Sequence, residues 1–260
     1  MKISVVTPSF NQGAYIAQAI ESVLAQRYPD FEHIIVDNCS TDDTAAVLSR
    51  YPHLKVISEK DAGQSDALNK GFKAARGDIV GWLNADDLYL PGAFDGAMKM
   101  MQGQPDLDIV YGDYRFVDVE GKLIQVRKEL AFDFFMLKYL HVLYIPTTTT
   151  FFRRKIFEAG DFLDISYHYA MDYEYFVRLA QKGYRFGHID QVMADFRWHA
   201  DAKSSRQTVA QLRERDAALL MHDKSLAAMK EPFRSVVGGM LTLLARVKRF
   251  ILKLVRGNYC

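Results

Sequence analysis

DIVGWL at residues 78–83 runs directly into NADD at residues 84–87, and this is the most informative stretch of the chain. The apolar segment fits a buried strand, and two adjacent acids follow near its carboxyl end. Adjacent carboxylates beside a buried strand are costly unless a positive charge lies between them. Their oxygens suit Mg²⁺ or Mn²⁺, ions that complete their coordination with substrate phosphates and water. The alternative is a solvated turn, because Asn and Asp are also common in turns.

Short β-branched runs alternate with helical patterns through the first part of the chain. The predicted strands are 3–7, 33–36, 54–58 and 79–83, and the predicted helices between them are 14–25, 42–50 and 65–75. This alternation is typical of an α/β fold with a Rossmann-like, mostly parallel sheet and helices on both faces. Ligands of such sheets bind beyond the carboxyl ends of the strands. We therefore expect Thr7–Asn11, Asp37–Ser40 and Asn84–Asp87 to line one crevice.

The second half of the chain shows a less regular pattern. Its predicted elements are strands at 108–111, 114–119 and 147–152, a hairpin turn at 120–122, a helix or lid at 132–143, and a helix at 173–182. Residues beyond about 204 read as helical throughout. We expect one α/β domain over residues 1–205, followed by a helical extension over residues 206–260.

Composition limits the classes of function. The chain has 260 residues and a formal net charge of +1, so it carries no overall electrostatic signal for nucleic acid. Its two cysteines, Cys39 and Cys260, form no disulfide framework or zinc spacing, which fits a reducing compartment. The residues after Met1 fit a first strand better than a signal peptide, and no apolar run reaches the length of a membrane span. We expect a cytoplasmic protein.

Several polar residues near the strand ends have two interpretations each. Asp37 fits a hydrogen-bond acceptor for a base or ribose, or a turn residue. Ser9 and Asn11 are also good helix caps ahead of residue 14. The loop 59–65 leads into a helix whose amino terminus favours anions, although a solvated loop would look the same. The chain contains neither a GxGxxG nor a Walker pattern, which disfavours dinucleotide oxidoreductases and ATPases.

Two residues in the later part of the chain are candidates for chemistry. Asp172 precedes the helical pattern at 173–182, where it would act as a general base or simply stabilise the amino terminus of the helix. His199 would bind a metal through its neutral imidazole, or it is an ordinary surface histidine. The residues alone favour the plainer interpretation of both.

The tail predicts a basic amphipathic helix over residues 236–256. Apolar residues recur at 236, 237, 240, 241, 244, 247, 251, 254 and 255, and Lys and Arg lie away from that stripe. Such a helix lies on an anionic membrane surface, here the inner face of the plasma membrane, or it packs on the domain with its basic face in water. The sequence leaves both open.

Taken in order, six segments resemble family 2 glycosyltransferases of the GT-A fold. The segments are ISVVTPSFN (3–11), IIVDNCSTD (34–42), DAGQSDALNKG (61–71), ARGD (75–78), WLNADD (82–87) and AMDYE (170–174). The similarity covers roughly residues 1–205, with a nucleotide-sugar half over about 1–115 and an acceptor half over about 116–205. Short motifs are weak one at a time, but their common order makes a chance match improbable.

The resemblance implies a nucleotide-diphosphate sugar donor, a Mg²⁺ or Mn²⁺ cofactor, and inversion at the anomeric carbon. The residues that would bind the nucleotide sugar are Thr7, Pro8, Ser9, Asn11, Asp37, Asp61, Gly63, Gln64, Asn69, Asn84 and Ala85. Asp86 matches the metal-binding acid of the family, Asp87 lies beside it, and His199 matches a late metal or diphosphate contact. Asp172 matches the catalytic base.

Three positions depart from the family pattern. Asn84 stands where Asp is frequent, Met171 replaces a common Glu, and Asn38 replaces a frequent Gly, which fits a tolerated left-handed residue. The motifs resemble a bacterial subgroup that builds surface polysaccharides, so we expect transfer of a hexose or N-acetylhexosamine to a saccharide or lipid-linked acceptor. The alternatives are a non-catalytic nucleotide-sugar-binding module and a nucleotidyltransferase. The second would need a glycine-rich basic loop that residues 8–11 do not provide.

Overall fold

The computed structural model describes residues 1–140, 142–199 and 208–256. Its first part runs β1 (Ile3–Ser9), α1 (Ile16–Leu24), β2 (Phe31–Asp37), α2 (Thr44–Leu48), β3 (Leu54–Ser58), α3 (Gln64–Ala74) and β4 (Ile79–Trp82). The strands lie in the order β3-β2-β1-β4, and all three pairings are parallel. The predicted alternation is confirmed, because each strand and helix of this half falls where the pattern placed it.

The second part completes the sheet with antiparallel strands. Its elements are β5 (Leu88–Tyr89), α4 (Ala93–Gly103), β6 (Ile109–Val117), β7 (Leu123–Arg127), α5 (Phe134–Tyr139), β8 (Phe151–Arg153), α6 (Lys155–Glu158), α7 (Met171–Gln181) and β9 (Phe186–Arg197). The sheet continues β4-β8-β6-β9-β5, with β7 paired to β6. Only β6 and β9 are parallel here. The α/β fold with a mostly parallel sheet, helices on both faces and a helical tail is therefore confirmed.

Several details of this half differ from the prediction. The two strands predicted at 108–111 and 114–119 are one strand, β6, and the predicted strand at 147–152 is a 3₁₀ turn at Thr147–Thr149 followed by the short β8. The predicted helix or lid at 132–143 contains α5, and residue 141 lies outside the described residues. β9 had no counterpart in the prediction, and Phe196 and Arg197 are its last two residues.

Two apolar layers cover the sheet. On one face, Phe152 packs with Phe72 of α3 and with Phe176 of α7, and on the other Phe94 of α4 packs with Phe151. Gly71 allows α3 to approach the sheet closely, because a Cβ there would lie 2.2 Å from a methyl carbon of Val6. This packing brings the amino terminus of α3 to the carboxyl ends of the parallel strands.

The C-terminal extension consists of α8 (Thr208–His222), α9 (Lys224–Ala227) and α10 (Phe233–Val255). The predicted helical tail is confirmed within residues 208–255, although it is interrupted at residue 223 and at residues 228–232. The boundary expected near residue 205 falls outside the described residues. Among the helices that the structure describes, none combines the length and apolar character needed to cross a membrane.

Candidate active site

A cavity of about 670 Å³ opens at the carboxyl ends of β1 and β4. Twelve of the fifteen residues predicted to form the site line it: Pro8, Ser9, Asn11, Asp61, Gly63, Gln64, Asn84, Ala85, Asp86, Asp87, Asp172 and His199. Parallel strands deliver their carboxyl ends to one edge, which explains why segments so distant in sequence meet here. The volume lies in the ordinary range for small-molecule and cofactor sites.

The other three predicted residues lie behind the cavity wall. Thr7 is buried, with its Oγ1 2.9 Å from Nε2 of His33. Asp37 is buried and accepts hydrogen bonds from Oγ of Ser9 at 3.0 Å and from the backbone N–H of Ser40 at 2.9 Å. These contacts give Thr7 and Asp37 the role of supporting the wall.

Asn69 has a similar supporting role on α3. Its Nδ2 donates to the carbonyl oxygen of Leu163 at 2.8 Å, and its Oδ1 accepts from the N–H of Leu163 at 2.9 Å. Both groups are buried, so the amide satisfies a stretch of backbone that no sheet or helix pairs. Asn69 thus joins α3 to the segment that precedes α7.

Hydrogen bonds of Asn11 connect the loop after β1 to the loop after β2. Its N–H donates to Oγ of Ser40 at 2.8 Å, and its Oδ1 accepts from the N–H of Thr41 at 2.9 Å. Asn11 has a φ of 53°, a left-handed conformation that Asn tolerates better than most residues. The left-handed residue in the β2 loop is Cys39, with a φ of 52°, and not Asn38 as the sequence suggested.

The turn before α3 forms another wall. The N–H of Gly63 donates to Oδ1 of Asp61 at 2.8 Å, and the N–H of Asp61 donates to Oδ1 of Asn38 at 3.0 Å. Gly63 has a φ of 119°, which other residues rarely adopt. Gly63 and Gln64 line the cavity, so the amino terminus of α3 lies beside it, and a helix amino terminus favours negatively charged groups.

Asp87 is the buried member of the acidic pair, with 1% of its surface exposed. Its Oδ2 accepts hydrogen bonds from Nδ2 of Asn84 at 3.0 Å and Oγ1 of Thr148 at 2.8 Å, and its Oδ1 accepts from the N–H of Arg197 at 3.0 Å. Burial, followed by the charge of Asp86, raises the pKa of Asp87. Because protein donors occupy both oxygens, the contacts suit Asp87 to holding the turn better than to the metal-ligand role predicted for it.

Asp86 and His199 come together, as two ligands of one ion would. Oδ2 of Asp86 lies 3.0 Å from Nε2 of His199, and the Asp86 side chain keeps 22% of its surface exposed. His199 is buried, and its ring centroid lies 5.0 Å from that of Tyr15. The structure thus brings together an acid and a histidine that are 113 residues apart in sequence.

Arg197, which is buried, supports this pair from behind. Its Nε donates to the carbonyl oxygen of Asp86 at 3.1 Å and its Nη1 to that of Val119 at 2.9 Å. Its guanidinium also stacks over the ring of Tyr15 at 5.2 Å. No sequence pattern singles out Arg197, because its partners Asp86, Val119 and Tyr15 lie on three separate segments.

Asp86 and His199 are the candidate ligands for a divalent cation. Within residues 1–140, 142–199 and 208–256, no three or more His, Cys, Asp or Glu side chains cluster as a metal site. Asp86 and His199 supply one carboxylate oxygen and one imidazole nitrogen within 3.0 Å of each other. This set fits a Mg²⁺ or Mn²⁺ ion that takes its remaining ligands from two phosphates and water.

The hydrogen bonds of Asn84 explain why this chain has Asn at a position where the family often has Asp. Its Oδ1 accepts from Nε2 of Gln64 at 3.0 Å and from Nε1 of Trp82 at 2.9 Å, while its Nδ2 donates to Asp87. An Asp could accept the first two bonds but could not donate the third when ionised. The amide is therefore the group that joins the strand end to the buried carboxylate.

Asp172 lies in the first turn of α7 and is half-buried at the cavity. The N–H of Tyr173 donates to its Oδ1 at 2.8 Å. The first turn of α7 thus places at the cavity a carboxyl group, one of the groups that serve as general bases.

Glu214 of α8 holds the segment before Asp172, and sequence reasoning missed it. Its carboxylate accepts hydrogen bonds from the N–H groups of three consecutive residues, His168 at 3.0 Å, Tyr169 at 2.6 Å and Ala170 at 3.0 Å. His168, Tyr169 and Gln211 of α8 also line the cavity. No local pattern links Glu214 to a segment more than 40 residues earlier, so only the fold reveals this contact.

Gln12 is a second missed residue of the cavity. Its Oε1 is buried and accepts no hydrogen bond from the residues that the structure describes. A buried acceptor of this kind needs a donor, and a hydroxyl group of a ligand would provide one. Its position beside the Thr7–Asn11 motif is the sequence signal that could have found it.

Comparison with known proteins extends these observations. Residues 4–161 match the family model described as glycosyl transferase family 2. Chondroitin synthase of Escherichia coli is 27% identical over 209 residues, 79% of this chain and 30% of that protein. A putative teichuronic acid biosynthesis glycosyltransferase of Bacillus subtilis, TuaG, is 31% identical over 140 residues, 50% of this chain and 55% of that protein. The chain therefore spans only about a third to a half of these relatives.

Solved structures share the fold at low sequence identity. Staphylococcus aureus TarS 1–349 in complex with UDP-GlcNAc has a TM-score of 0.69 at 20% identity, over 90% of this chain and 69% of that one. The mannosyltransferase PcManGT from Pyrobaculum calidifontis, in complex with GDP-Man and Mn²⁺, has a TM-score of 0.59 at 20% identity, over 94% of this chain and 73% of that one. The GT-A fold expected from the resemblance is confirmed.

Proposed function

Because the chain belongs to glycosyl transferase family 2, we propose that it transfers a sugar from a nucleotide-diphosphate sugar to a hydroxyl acceptor with inversion at the anomeric carbon. The observation that carries the proposal is one cavity lined by both the Asp86–His199 pair and Asp172. The pair provides the residues to hold a metal-bound diphosphate. Asp172 provides a base in the same cavity.

The chain's residues would divide the chemistry as follows. Asp86 and His199 would hold the divalent cation, which supplies Lewis-acid stabilisation of the departing diphosphate when it is bound. The first turn of α3 would add N–H groups near the same negative charge. Asp172 would accept the proton of the acceptor hydroxyl. At the same time the hydroxyl oxygen would bond to the anomeric carbon, and the bond between that carbon and the diphosphate oxygen would break. A positioned base of this kind contributes about 10²- to 10⁴-fold in rate.

The names of the relatives support the proposed class of acceptor. Chondroitin synthase and the putative teichuronic acid glycosyltransferase are both named for polysaccharides, and TarS was solved with UDP-GlcNAc. We therefore propose a growing or lipid-linked surface polysaccharide as acceptor, and a hexose or N-acetylhexosamine as the transferred sugar. The cytoplasmic location expected from the sequence belongs to the same proposal.

The first experiment identifies the donor. A thermal-shift screen of nucleotide-diphosphate sugars, with and without Mn²⁺, should find one that stabilises the protein only when the metal is present. Asp172→Asn should then lower transfer by about 10²-fold or more while donor affinity stays nearly unchanged. Asp86→Ala should abolish the metal-dependent part of donor affinity, measured by calorimetry with an EDTA control.

Asp95→Asn is the matched control, because Asp95 also lies in the first turn of a helix but is exposed and does not line the cavity. It should leave both measurements unchanged. Normal turnover by Asp172→Asn would show that the base is another residue. Tight donor binding by the unaltered protein, without transfer or hydrolysis, would favour the non-catalytic binding module.

A further inference from the structure

Helix α10 directs its apolar face away from the protein body. Six residues at alternating spacings of four and three form this face, and each is at least 47% exposed: Val236, Met240, Leu243, Val247, Phe250 and Leu254. Such spacing places side chains in one row along a helix. A row this long in contact with water is unusual for a protein surface and points to an interaction site.

The opposite face of α10 docks on the domain largely through charges. Ala245 is fully buried there, Nη2 of Arg249 lies 3.2 Å from Oε2 of the buried Glu129, and Lys248 pairs with Asp133. Lys253 is buried on the same side. These contacts fix the rotation of the helix: α10 packs on α5 with Arg249 and Lys253 of its basic face toward the domain and the apolar row outward.

All the charged residues of α10 and its C-cap are basic. Residues 233–256 contain six Lys or Arg and no Asp or Glu. At 100° per residue, Arg246 flanks the apolar row on one side and is exposed, while Lys248 on the other side remains accessible to water but already pairs with Asp133. Anionic lipid headgroups complement an exposed cation such as Arg246. Two copies packed through this row would instead bring like charges together with no acid in the helix to pair them.

We propose that α10 binds flat on an anionic lipid bilayer, with the row from Val236 to Leu254 at the boundary between headgroups and acyl chains. A 23-residue helix is about 34 Å long, which gives an extended contact parallel to the surface. Membrane binding stands independently of the proposed activity. Only its use, the delivery of a lipid-linked acceptor, rests on the proposed function.

Vesicle flotation of the full chain tests the proposal. Vesicles that contain phosphatidylglycerol should retain the protein, pure phosphatidylcholine should bind it about tenfold more weakly, and salt should weaken the difference. Leu243→Glu combined with Val247→Glu should reduce binding about tenfold or more, because charges enter the apolar row. Val209→Glu is the control, since Val209 is an exposed apolar residue of α8. It should bind as the unaltered protein does.

Several results would overturn the proposal. One is equal binding to neutral and anionic vesicles, and another is full binding by the double variant. A third is a concentration-dependent dimer, seen by light scattering, that the double variant abolishes while no vesicle binding occurs. If the double variant is misfolded by circular dichroism, Arg246→Glu must weaken binding to anionic vesicles. Donor binding by the double variant should stay normal, which separates this test from the test of the activity.

Discussion

Replacing Glu214 tests whether α8 positions the candidate base. The Glu214 carboxylate accepts three backbone N–H groups immediately before the first turn of α7, and Asp172 follows two residues after the last of them. A hydrogen bond to a charged group contributes about 1.5–3 kcal/mol. Because Glu214 is half-buried, water would replace some of its three hydrogen bonds after substitution. We therefore expect Glu214→Ala to lose the free energy of about one such hydrogen bond. If residues 168–170 then move and carry Asp172 with them, the same free energy lost from the transition state would decrease kcat about 10- to 100-fold.

The assay separates positioning from a general loss of stability. Because Glu214 does not line the cavity, donor affinity should change little while kcat falls. Glu214→Gln keeps one acceptor oxygen, so its kcat should lie between those of Glu214→Ala and the unaltered protein. Asp216→Asn is the matched control, because Asp216 is an exposed acid two residues further along the same helix. A folded Glu214→Ala protein with unchanged kcat would refute the reasoning.

Two further substitutions test the core of the site. Asn84→Asp replaces the donor to the buried Asp87 with a like charge, so it should cost on the order of 2 kcal/mol in urea denaturation, and less at acidic pH, where a protonated carboxyl can donate again. An unchanged unfolding midpoint would contradict the role given to Asn84. Burial, with a smaller effect from His53, lowers the pKa of His33 to about 3. Because the unfolded chain gains its proton near pH 6.5, stability should decrease as the pH falls from about 6.5 towards 3, by up to about 4 kcal/mol. His33→Gln should remove that slope, and equal slopes in both proteins would contradict the assignment.

The parallel half of the sheet could be predicted because its signals are local. Each of β1 to β4 is a short β-branched or apolar run, and each is followed by polar residues that stop it. The rule that ligands bind at the carboxyl ends of such strands then places most of the site without coordinates. That rule cannot predict that both oxygens of Asp87 accept hydrogen bonds from the protein, because two of the donors, Thr148 and Arg197, are distant in sequence.

β9 was not predicted because several of its residues are polar and are paired with polar residues of β6. Asp195 accepts two bonds from the guanidinium of Arg115 on β6, at 2.6 and 2.7 Å, and Nε2 of His188 lies 2.8 Å from Oδ1 of Asp113. A strand whose buried polar residues are satisfied by its neighbour shows neither alternation nor an apolar run. The polar residues of β9 can be recognised as part of a strand only when the neighbouring strand, β6, is known.

The tail shows a different limit of sequence reasoning. Amphipathic spacing indicates that α10 has two faces, but it does not say which face touches the domain. Here the buried Glu129 on the domain, paired with Arg249 of the helix, decides the question. A buried carboxylate is far more costly without a partner than an exposed apolar side chain is, so the charged face docks and the apolar face remains outside.

The extension links the proposed membrane contact to the proposed chemistry through packed helices. α10 packs on α5, and α5 packs on α7, where Oη of Tyr173 donates to the carbonyl oxygen of Lys138 at 2.6 Å. A bilayer that holds α10 would therefore hold the first turn of α7, with Asp172, at a set height above the lipid. A lipid-linked acceptor also presents its hydroxyl at a height fixed by its own length. The region beyond the family match at residue 161 thus contains the proposed base, the glutamate that holds the segment before it, and the proposed membrane contact.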